Sequence, residues 1–499
     1  MSTLIDASPT LRIPFDNSYA RLPESFFAPA LPTPVAAPRL VKLNTALAEE
    51  LGLDPAALAT PEAVEMFAGV RVPEGATPIA LAYAGHQFGQ FVPQLGDGRA
   101  ILLGEVIDRA GRRRDIQLKG AGPTAFSRRG DGRAALGPVL REYIVSEAMA
   151  ALGVPTTRTL AAVTTGEPVW RERALPGAVL TRVAASHIRI GTFQFFAARK
   201  DVEGLRTLAD YAIARHYPEV AATARPYAGL LEKVMERQAA LVARWQLIGF
   251  IHGVMNTDNM SIVGETIDYG PCAFMDAYHP STVFSSIDYM GRYAFKNQPQ
   301  IAHWNLARLA ECLIPLLNAE REPAVEEANA LLGTFPGRFE AAYHAGLLEK
   351  IGLSAGTTED VALALELLQV MQAGKADFTL LFRRLCAAAE GTEGSNPARD
   401  LFPDREAFDA WAGRWRARLA QAGREGAAVR AAMERVNPKY IPRNHQVEWA
   451  LEAAVDNADF APFEELLGVI QKPYEEQPRF SAYADLPPEM KDYQTFCGT

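Results

Sequence analysis

The segment HGVMNTDNMSIVGETIDYG, residues 252–270, places three polar residue types at intervals that matter chemically. His252 is followed seven residues later by Asn259, and Asp268-Tyr269-Gly270 closes the segment. An amide oxygen and a carboxylate oxygen are a donor set that a hard cation such as Mg²⁺ accepts while keeping waters of its own. Group transfer from ATP needs backbone around the phosphates, a cation against them, oxygen ligands for a metal and a carboxylate near the attacking hydroxyl. The order histidine, asparagine, Asp-x-Gly is that of a kinase-type catalytic loop and the metal-facing turn after it. Asn, Asp and Gly are ordinary turn formers, so neither half of the pattern decides alone; their joint order and spacing do. His252 reads as a buried organiser of the loop, neither metal ligand nor base.

The remaining parts lie upstream. Lys119 ends the run Ile116-Gln117-Leu118, where strand alternation turns it to the face opposite Ile116 and Leu118. A strand lysine of this kind pairs with a glutamate on the following helix. Glu142 and Glu147 are both candidates, and helical phase leaves the choice open because that helix is apolar nearly all round. Two GDGR tetrapeptides, Gly96 to Arg99 and Gly130 to Arg133, offer glycine for close backbone approach and arginine for bidentate donation. The first leads into AILLGEVI, where a glycine-rich loop would sit; the second precedes a helix whose N-terminus favours anions. Between Arg109 and Arg141 nine Arg or Lys stand against Asp115 and Asp131 only. Taken by itself, such a run is a solvated basic face. Gly352-Leu-Ser354-Ala-Gly356 has the form of an esterase elbow, but a helix precedes it where a strand is required, so Ser354 belongs in a helix–helix turn. P-loop, H-E-x-x-H and C-x-x-C patterns are absent from the sequence.

These residues need particular elements beneath them. The glycine-punctuated apolar segments AILLGEVI, DIQLKG, TLAAVTTGEPVW and GAVLTRVA predict strands. A helix over Pro138–Leu152 interrupts them and is stopped by Gly153 and Pro155. From Ser186 helical spacing dominates, over 234–251 and 301–317 for example, so that a long helix runs up to His252. Residues 261–268 read as two short strands about a Gly264-Glu265 turn, which would set Asn259 and Asp268 at the ends of a hairpin. The first 85 or so residues, rich in Pro and Ala, read as an extension with short helices such as 42–51 and no chemistry of their own. The expected fold class is α+β. It is a bilobal, protein-kinase-like arrangement of a small sheet-containing N-lobe (86–185) and a larger helical C-lobe (186–350), with an N-terminal extension (1–85) and a helical C-terminal region (351–499). Nucleotides bind in the cleft between such lobes.

Composition sets outer bounds. A chain of 499 residues with 48% apolar and 22% charged residues has ample core. A net charge of −9 and pI near 5.6 argue against a nucleic-acid or acidic-membrane partner. Four scattered cysteines make no disulfide framework and suit a reducing compartment. No apolar run approaches the ~20 residues that span a bilayer, and the N-terminus has neither signal-peptide nor transit-peptide character. The expectation is a cytoplasmic protein.

FDNSYARLPESFF, YAGHQFGQFVPQLGDGRA, QLKGAGPTAFSRRGDGRA, HGVMNTDNMSIVGETIDYGP and a cysteine close to the C-terminus together resemble the SelO (selenoprotein O) family over most of the chain. The resemblance implies a protein-kinase-like fold that moves AMP, not phosphate, from ATP onto Ser, Thr or Tyr hydroxyls of proteins. The residues agree that an ordinary kinase label is unsafe: two positions after His252, where a kinase-type loop holds its base, stands Val254, which accepts no proton. By the resemblance, Asp258 takes the proton from the acceptor hydroxyl. Gly96, Gly98, Arg99, Lys119, Asp131, Gly132, Arg182, Arg189 and Asp268 hold ATP in an inverted orientation, Asn259 and Asp268 hold Mg²⁺ or Mn²⁺, and Glu142 pairs Lys119. Arg182 and Arg189, in LTRVAASHIRIG, read as surface charges when taken singly. Pyrophosphate departing from the α-phosphorus needs more cation than a γ-transfer does, which gives these arginines a purpose. A kinase or small-molecule phosphotransferase with Asp258 as base, and an inactive nucleotide-binding scaffold, are the rival readings. Cys497 occupies the place where some family members carry selenocysteine. A disulfide between Cys272 and Cys497 that limits activity under oxidation stands against two free thiols, which a reducing cell favours.

Overall fold

The computed structural model describes residues 11–390, 396–424, 426–487 and 493–496. Its strands in chain order are β1 (Phe27–Pro29), β2 (Arg39–Leu43), β3 (Ile79–Leu81), β4 (Gly85–Gln87), β5 (Gln90–Val92) and β6 (Ala100–Ile107). Then follow β7 (Arg113–Lys119), β8 (Ala134–Ala135), β9 (Arg158–Trp170), β10 (Ala174–Ala184), β11 (Phe250–Ile251) and β12 (Ala273–Phe274). One antiparallel sheet has the order β1-β3-β6-β7-β10-β9-β2, with β8 on β10; β4-β5 and β11-β12 are separate pairs.

AILLGEVI is apolar with little alternation because the sheet is covered on both faces. On one face Ile101, Leu103, Ile116 and Leu118 pack with Leu47, Met66 and Phe67 of the short helices Thr45–Glu50 and Pro61–Phe67. On the other, Ala162 and Leu180 meet Leu140, Tyr143 and Ile144 of the helix Leu136–Ala151. That helix is apolar all round because Val447, Leu451, Phe463 and Leu466, from the helices Asn444–Asn457 and Ala461–Ile470, cover its outer side. The stretch read as an N-terminal extension thus supplies β1, β2 and β3 and one cover of the sheet. Within it, Lys42 lies in β2 and not in a helix: Asn44 Oδ1 accepts from Leu47 N at 3.1 Å and starts the helix only at Thr45.

From Ile190 onward helices dominate. Those spanning Ile190–Ala198, Val202–His216, Pro226–Leu247 and Gln298–Leu317 share a core around Phe193, Leu208, Val234, Trp245 and Leu306. A further core around Phe382, Trp411 and Trp415 organises the region beyond Gly352. Ser354 lies in the turn between the helices Phe335–Lys350 and Thr358–Gly374. Among the described residues no helix is long and apolar enough to cross a membrane.

Two sequence expectations are corrected near the polar loop. The long helix stops at Leu247, not at His252; Gly249 adopts φ +70° and turns the chain so that Phe250–Ile251 pairs with Ala273–Phe274 as β11 and β12. The segment 261–268 is not a hairpin. Ile190 N donates to Met260 O (3.0 Å) and Ile262 N to Ile188 O (3.1 Å), while Thr266 N donates to Pro155 O (2.9 Å) and its carbonyl accepts from Thr157 N (3.0 Å). Each half is taken up by a different neighbour, so the two halves do not pair with each other.

Candidate functional site

The site begins with strand register. Gln117 and Lys119 on β7 stand opposite Arg182 and Leu180 on β10. Side chains two apart on a strand share a face, so Gln117, Lys119 and Arg182 project together toward the helix Leu136–Ala151. There Lys119 Nζ lies 2.7 Å from Glu142 Oε2, and Arg182 donates to Glu142 Oε1 through Nε (2.8 Å) and Nη2 (2.6 Å). Both cations also reach Asp268 Oδ1, at 3.0 Å from Lys119 and 2.8 Å from Arg182. Glu147 turns away, accepting from Arg158 and from Asn44 Nδ2 (2.8 Å).

This tetrad is neutral in sum; Arg182 and Glu142 are buried, and Lys119 and Asp268 partly so. Burial raises the carboxyl of Asp268, but the charges of Lys119, Arg182 and Arg189 outweigh it and hold it well below the usual carboxylate range. Glu142 is lowered in the same way: burial opposes, and Arg182 and Lys119 prevail.

The polar loop is organised by His252. Its Nε2 bonds Ile267 O at 2.9 Å, its Nδ1 accepts from Val254 N at 3.4 Å, and burial lowers its pKa. It therefore ties the start of the loop to the residue before Asp268. Asn259 Nδ2 donates to Val254 O at 3.0 Å, so its oxygen is the atom available for a ligand. Asp268 adopts φ +64°, and its Oδ2 takes part in none of the cation bonds. Asp258 is 7% exposed; burial pushes its carboxyl up to about 6, against hydrogen bonds from backbone and from Gln87 Nε2 (3.2 Å).

A cavity of about 470 Å³ joins these parts. Gly96, Gly98 and Arg99 line it from the first GDGR turn, and Asp131 and Gly132 from the second. Lys119, Arg182 and Arg189 line it from the sheet side, and Val254, Asp258, Asn259 and Asp268 from the loop side. Glu142 lies one layer behind, lining an adjoining cavity of about 370 Å³ that shares Arg99 and Lys119. Gly96 adopts φ +72°, and a Cβ there would stand 2.2 Å from Phe126 Cγ, so the turn admits only glycine without rearrangement. Asp131 sits on the rim, paired with Arg171 at 2.8 Å.

Arg189 is buried, with Nη2 3.7 Å from Asp97 Oδ1 and its guanidinium 4.3 Å from the Tyr83 ring centroid. The reading of Arg182 and Arg189 as surface charges is thus overturned: the sheet and the helix Leu136–Ala151 cover Arg182, and Arg189, at the start of the helix Ile190–Ala198, is buried against Asp97 and Tyr83. The basic run from Arg109 to Arg141 is likewise no uniform solvated face. Arg113 meets Asp16 and Glu105, Arg114 meets Asp108, and Arg141 meets Glu448.

Residues missed in the sequence support this constellation. Asp97, the acid of the first GDGR, is buried and accepts from Gln117 Nε2 (3.1 Å) and Leu81 N (3.2 Å). Asp115 accepts from His187 N at 2.9 Å, meets its Nδ1 at 2.9 Å and takes Arg215 at 2.6 Å, which anchors the segment leading to Arg189. The sequence signal for Asp115 was a polar residue beside the apolar run of its strand, and for Asp97 its place in the GDGR turn.

For a divalent cation the donor set is Asn259 Oδ1 and Asp268 Oδ2, two oxygens on residues that line one cavity. Mg²⁺ bound to nucleotide phosphates uses one or two carboxylates and completes its shell with phosphate and water, so these residues fit the ion. Among the described residues no three His, Cys, Asp or Glu gather into an all-protein metal site. Cys272 is a buried free thiol whose pKa burial pushes up to about 12; Cys497 lies outside the described residues.

Over residues 9–471 the chain matches the family described as protein adenylyltransferase SelO. It is 66% identical over 491 residues to protein nucleotidyltransferase YdiU of Bradyrhizobium diazoefficiens, covering 98% of this chain and 100% of that relative. It is also 66% identical over 498 residues to protein nucleotidyltransferase YdiU of Methylorubrum extorquens, with the same coverage. Agreement of this extent, over a chain that gathers its polar motifs into one cavity, establishes that the protein belongs to the SelO family of protein adenylyltransferases.

Proposed function

We propose that this protein transfers AMP from ATP to Ser, Thr or Tyr hydroxyls of protein substrates in a metal-dependent reaction that releases pyrophosphate. On this reading the cleft lies between an N-lobe (86–185) and a helical C-lobe (186–350) of a protein-kinase-like fold, with 1–85 and 351–499 as flanking regions, in the cytoplasm. The observation that carries it is the single cavity in which Lys119, Arg182 and Arg189 face Asp258, Asn259 and Asp268, while Val254 stands where a kinase-type loop would hold its base.

The chemistry follows from the charges. An acceptor oxygen attacks the α-phosphorus, the bond to the bridging oxygen of the β-phosphate breaks, and pyrophosphate leaves with the electron pair. Asp258, with its carboxyl raised to about 6 by burial, is basic enough to take the hydroxyl proton near neutral pH. Lys119, Arg182 and Arg189 stabilise the charge that grows on the departing pyrophosphate. Glu142 holds Lys119 and Arg182 in place. Gly96 and Gly98 let the backbone approach the phosphates, with Arg99, Asp131 and Gly132 completing the nucleotide's surround. A Mg²⁺ or Mn²⁺ ion held by Asn259 and Asp268 would supply further positive charge to the phosphate oxygens.

Incubation with protein acceptors and ATP labelled at either the α or the γ position tests this. Label should enter protein from the α position only. Label from the γ position alone would instead establish a phosphotransferase, and none from either position a nucleotide-binding scaffold.

A further inference from the structure

The motif GHQFGQFV, residues 85–92, has no part in the reading above, yet it lies directly on the loop that carries Asp258. It forms the β4-β5 hairpin, turned at Phe88 (φ +50°) and Gly89 (φ +85°). Three successive hairpin residues hold three successive loop residues. His86 N donates to Thr257 Oγ1 (2.7 Å), Gln87 Nε2 to Asp258 Oδ2 (3.2 Å), and Phe88 N to Asn256 Oδ1 (3.0 Å). The clamp is itself braced: Thr257 donates to Gln194 Oε1 (2.6 Å), whose Nε2 meets His86 Nδ1 (2.7 Å), and Tyr293 donates to Asn256 Oδ1 (2.7 Å).

The two oxygens of Asp258 differ. Oδ2 takes the Gln87 amide, whereas Oδ1 is buried and, among the described residues, has no hydrogen-bond partner. Gly85 allows this closeness, since a Cβ there would stand 2.6 Å from Oδ1. The carboxylate is thus fixed through Oδ2 by Gln87 and backed at Oδ1 by Gly85, on a residue that lines the nucleotide cavity.

We infer that Gln87 is a positioning residue for AMP transfer: its side-chain amide holds Oδ2 of Asp258 and so fixes the orientation of the carboxylate that meets the acceptor hydroxyl. This rests on Asp258 being the base. The hairpin is thereby part of the reaction machinery.

Gln87→Met keeps the length of the side chain and removes the donor. In the full-length protein the kcat for AMP transfer should fall tenfold or more, with the KM for ATP and the melting temperature unchanged. Gly85→Ala, which crowds Oδ1 from the other side, should lower kcat in the same way. Asp258→Asn is measured beside them. A Gln87→Met kcat within twofold of the parent, while Asp258→Asn is inactive, overturns the role of Gln87 alone. A parallel loss of kcat, ATP affinity and melting temperature also overturns it, because the hairpin would then be merely structural. An Asp258→Asn variant as active as the parent overturns the base assignment and the inference with it.

Discussion

The buried tetrad makes a quantitative prediction. Glu142 and Asp268 oppose Lys119 and Arg182, two anions against two cations, with all four contacts between 2.6 and 3.0 Å. Arg182→Met leaves two carboxylates against one ammonium; Glu142→Gln leaves two cations against one carboxylate. Removing one member of a buried ion pair costs about 3–5 kcal/mol, because the other charge stays behind uncompensated. Asp268 is 25% exposed, so water screens part of the excess and about 3 kcal/mol is the better figure for each variant. The double variant returns to one anion and one cation, Asp268 and Lys119, already 3.0 Å apart. It should therefore cost far less than the sum, with a coupling of at least about 2 kcal/mol, whereas independent sites add to within about 0.5 kcal/mol. Urea unfolding of the four proteins, followed by tryptophan fluorescence, measures the cycle. Additivity within about 0.5 kcal/mol would refute the charge-balance argument. AMP transfer gives a separate signature: the double variant should regain stability but not activity, since Arg182 is absent from the nucleotide cavity.

Two further outcomes are expected. In Gly96→Ala the new side chain meets Phe126 at a position held at φ +72°, a conformation that costs an L-residue about 1–2 kcal/mol before any clash. The KM for ATP should rise about tenfold or more in steady-state assays, and an unchanged KM would remove the first GDGR turn from nucleotide binding. Lys350 is buried with its Nζ 4.3 Å from the Phe382 ring centroid, and among the described residues it has no ion-pair partner; burial lowers it from about 10.5 to about 7. Below pH ~7 folded and unfolded chains both carry the proton, so the cost of burying the charge is felt in full. Between pH ~7 and ~10.5 only the unfolded chain holds it, so stability should rise with pH across that window. Lys350→Met should flatten this rise and be more stable than the parent at pH 6.5, read as melting temperatures at several pH values; an identical slope in the two proteins would contradict it.

The sequence by itself determined the chemistry that local pattern encodes. The GDGR turns, the strand ending in Lys119, the loop from His252 to Asn259 and the Asp268-Tyr269-Gly270 turn are each set by a few adjacent residues. Val254 in the base position needed no structure to be recognised. Strands such as AILLGEVI were legible because their apolar runs are local, and the family was legible because several such motifs occur in order. What tertiary structure alone decided concerns partners far apart in the chain. The choice of Glu142 over Glu147 had no helical-phase signal, since helices from residues 444–470 cover the outer side of their helix; it was made by Arg182 arriving on β10 beside Lys119. Arg182 is a cavity residue because a helix covers its face of the sheet, and Arg189 because the start of its helix packs against Asp97 and Tyr83. The Gly264-Glu265 turn failed to make a hairpin because Ile188, Ile190, Pro155 and Thr157 took the backbone groups its strands would have shared. Backbone hydrogen bonds and buried charges must all find partners, and where the nearest partner is a hundred residues away no local pattern can name it.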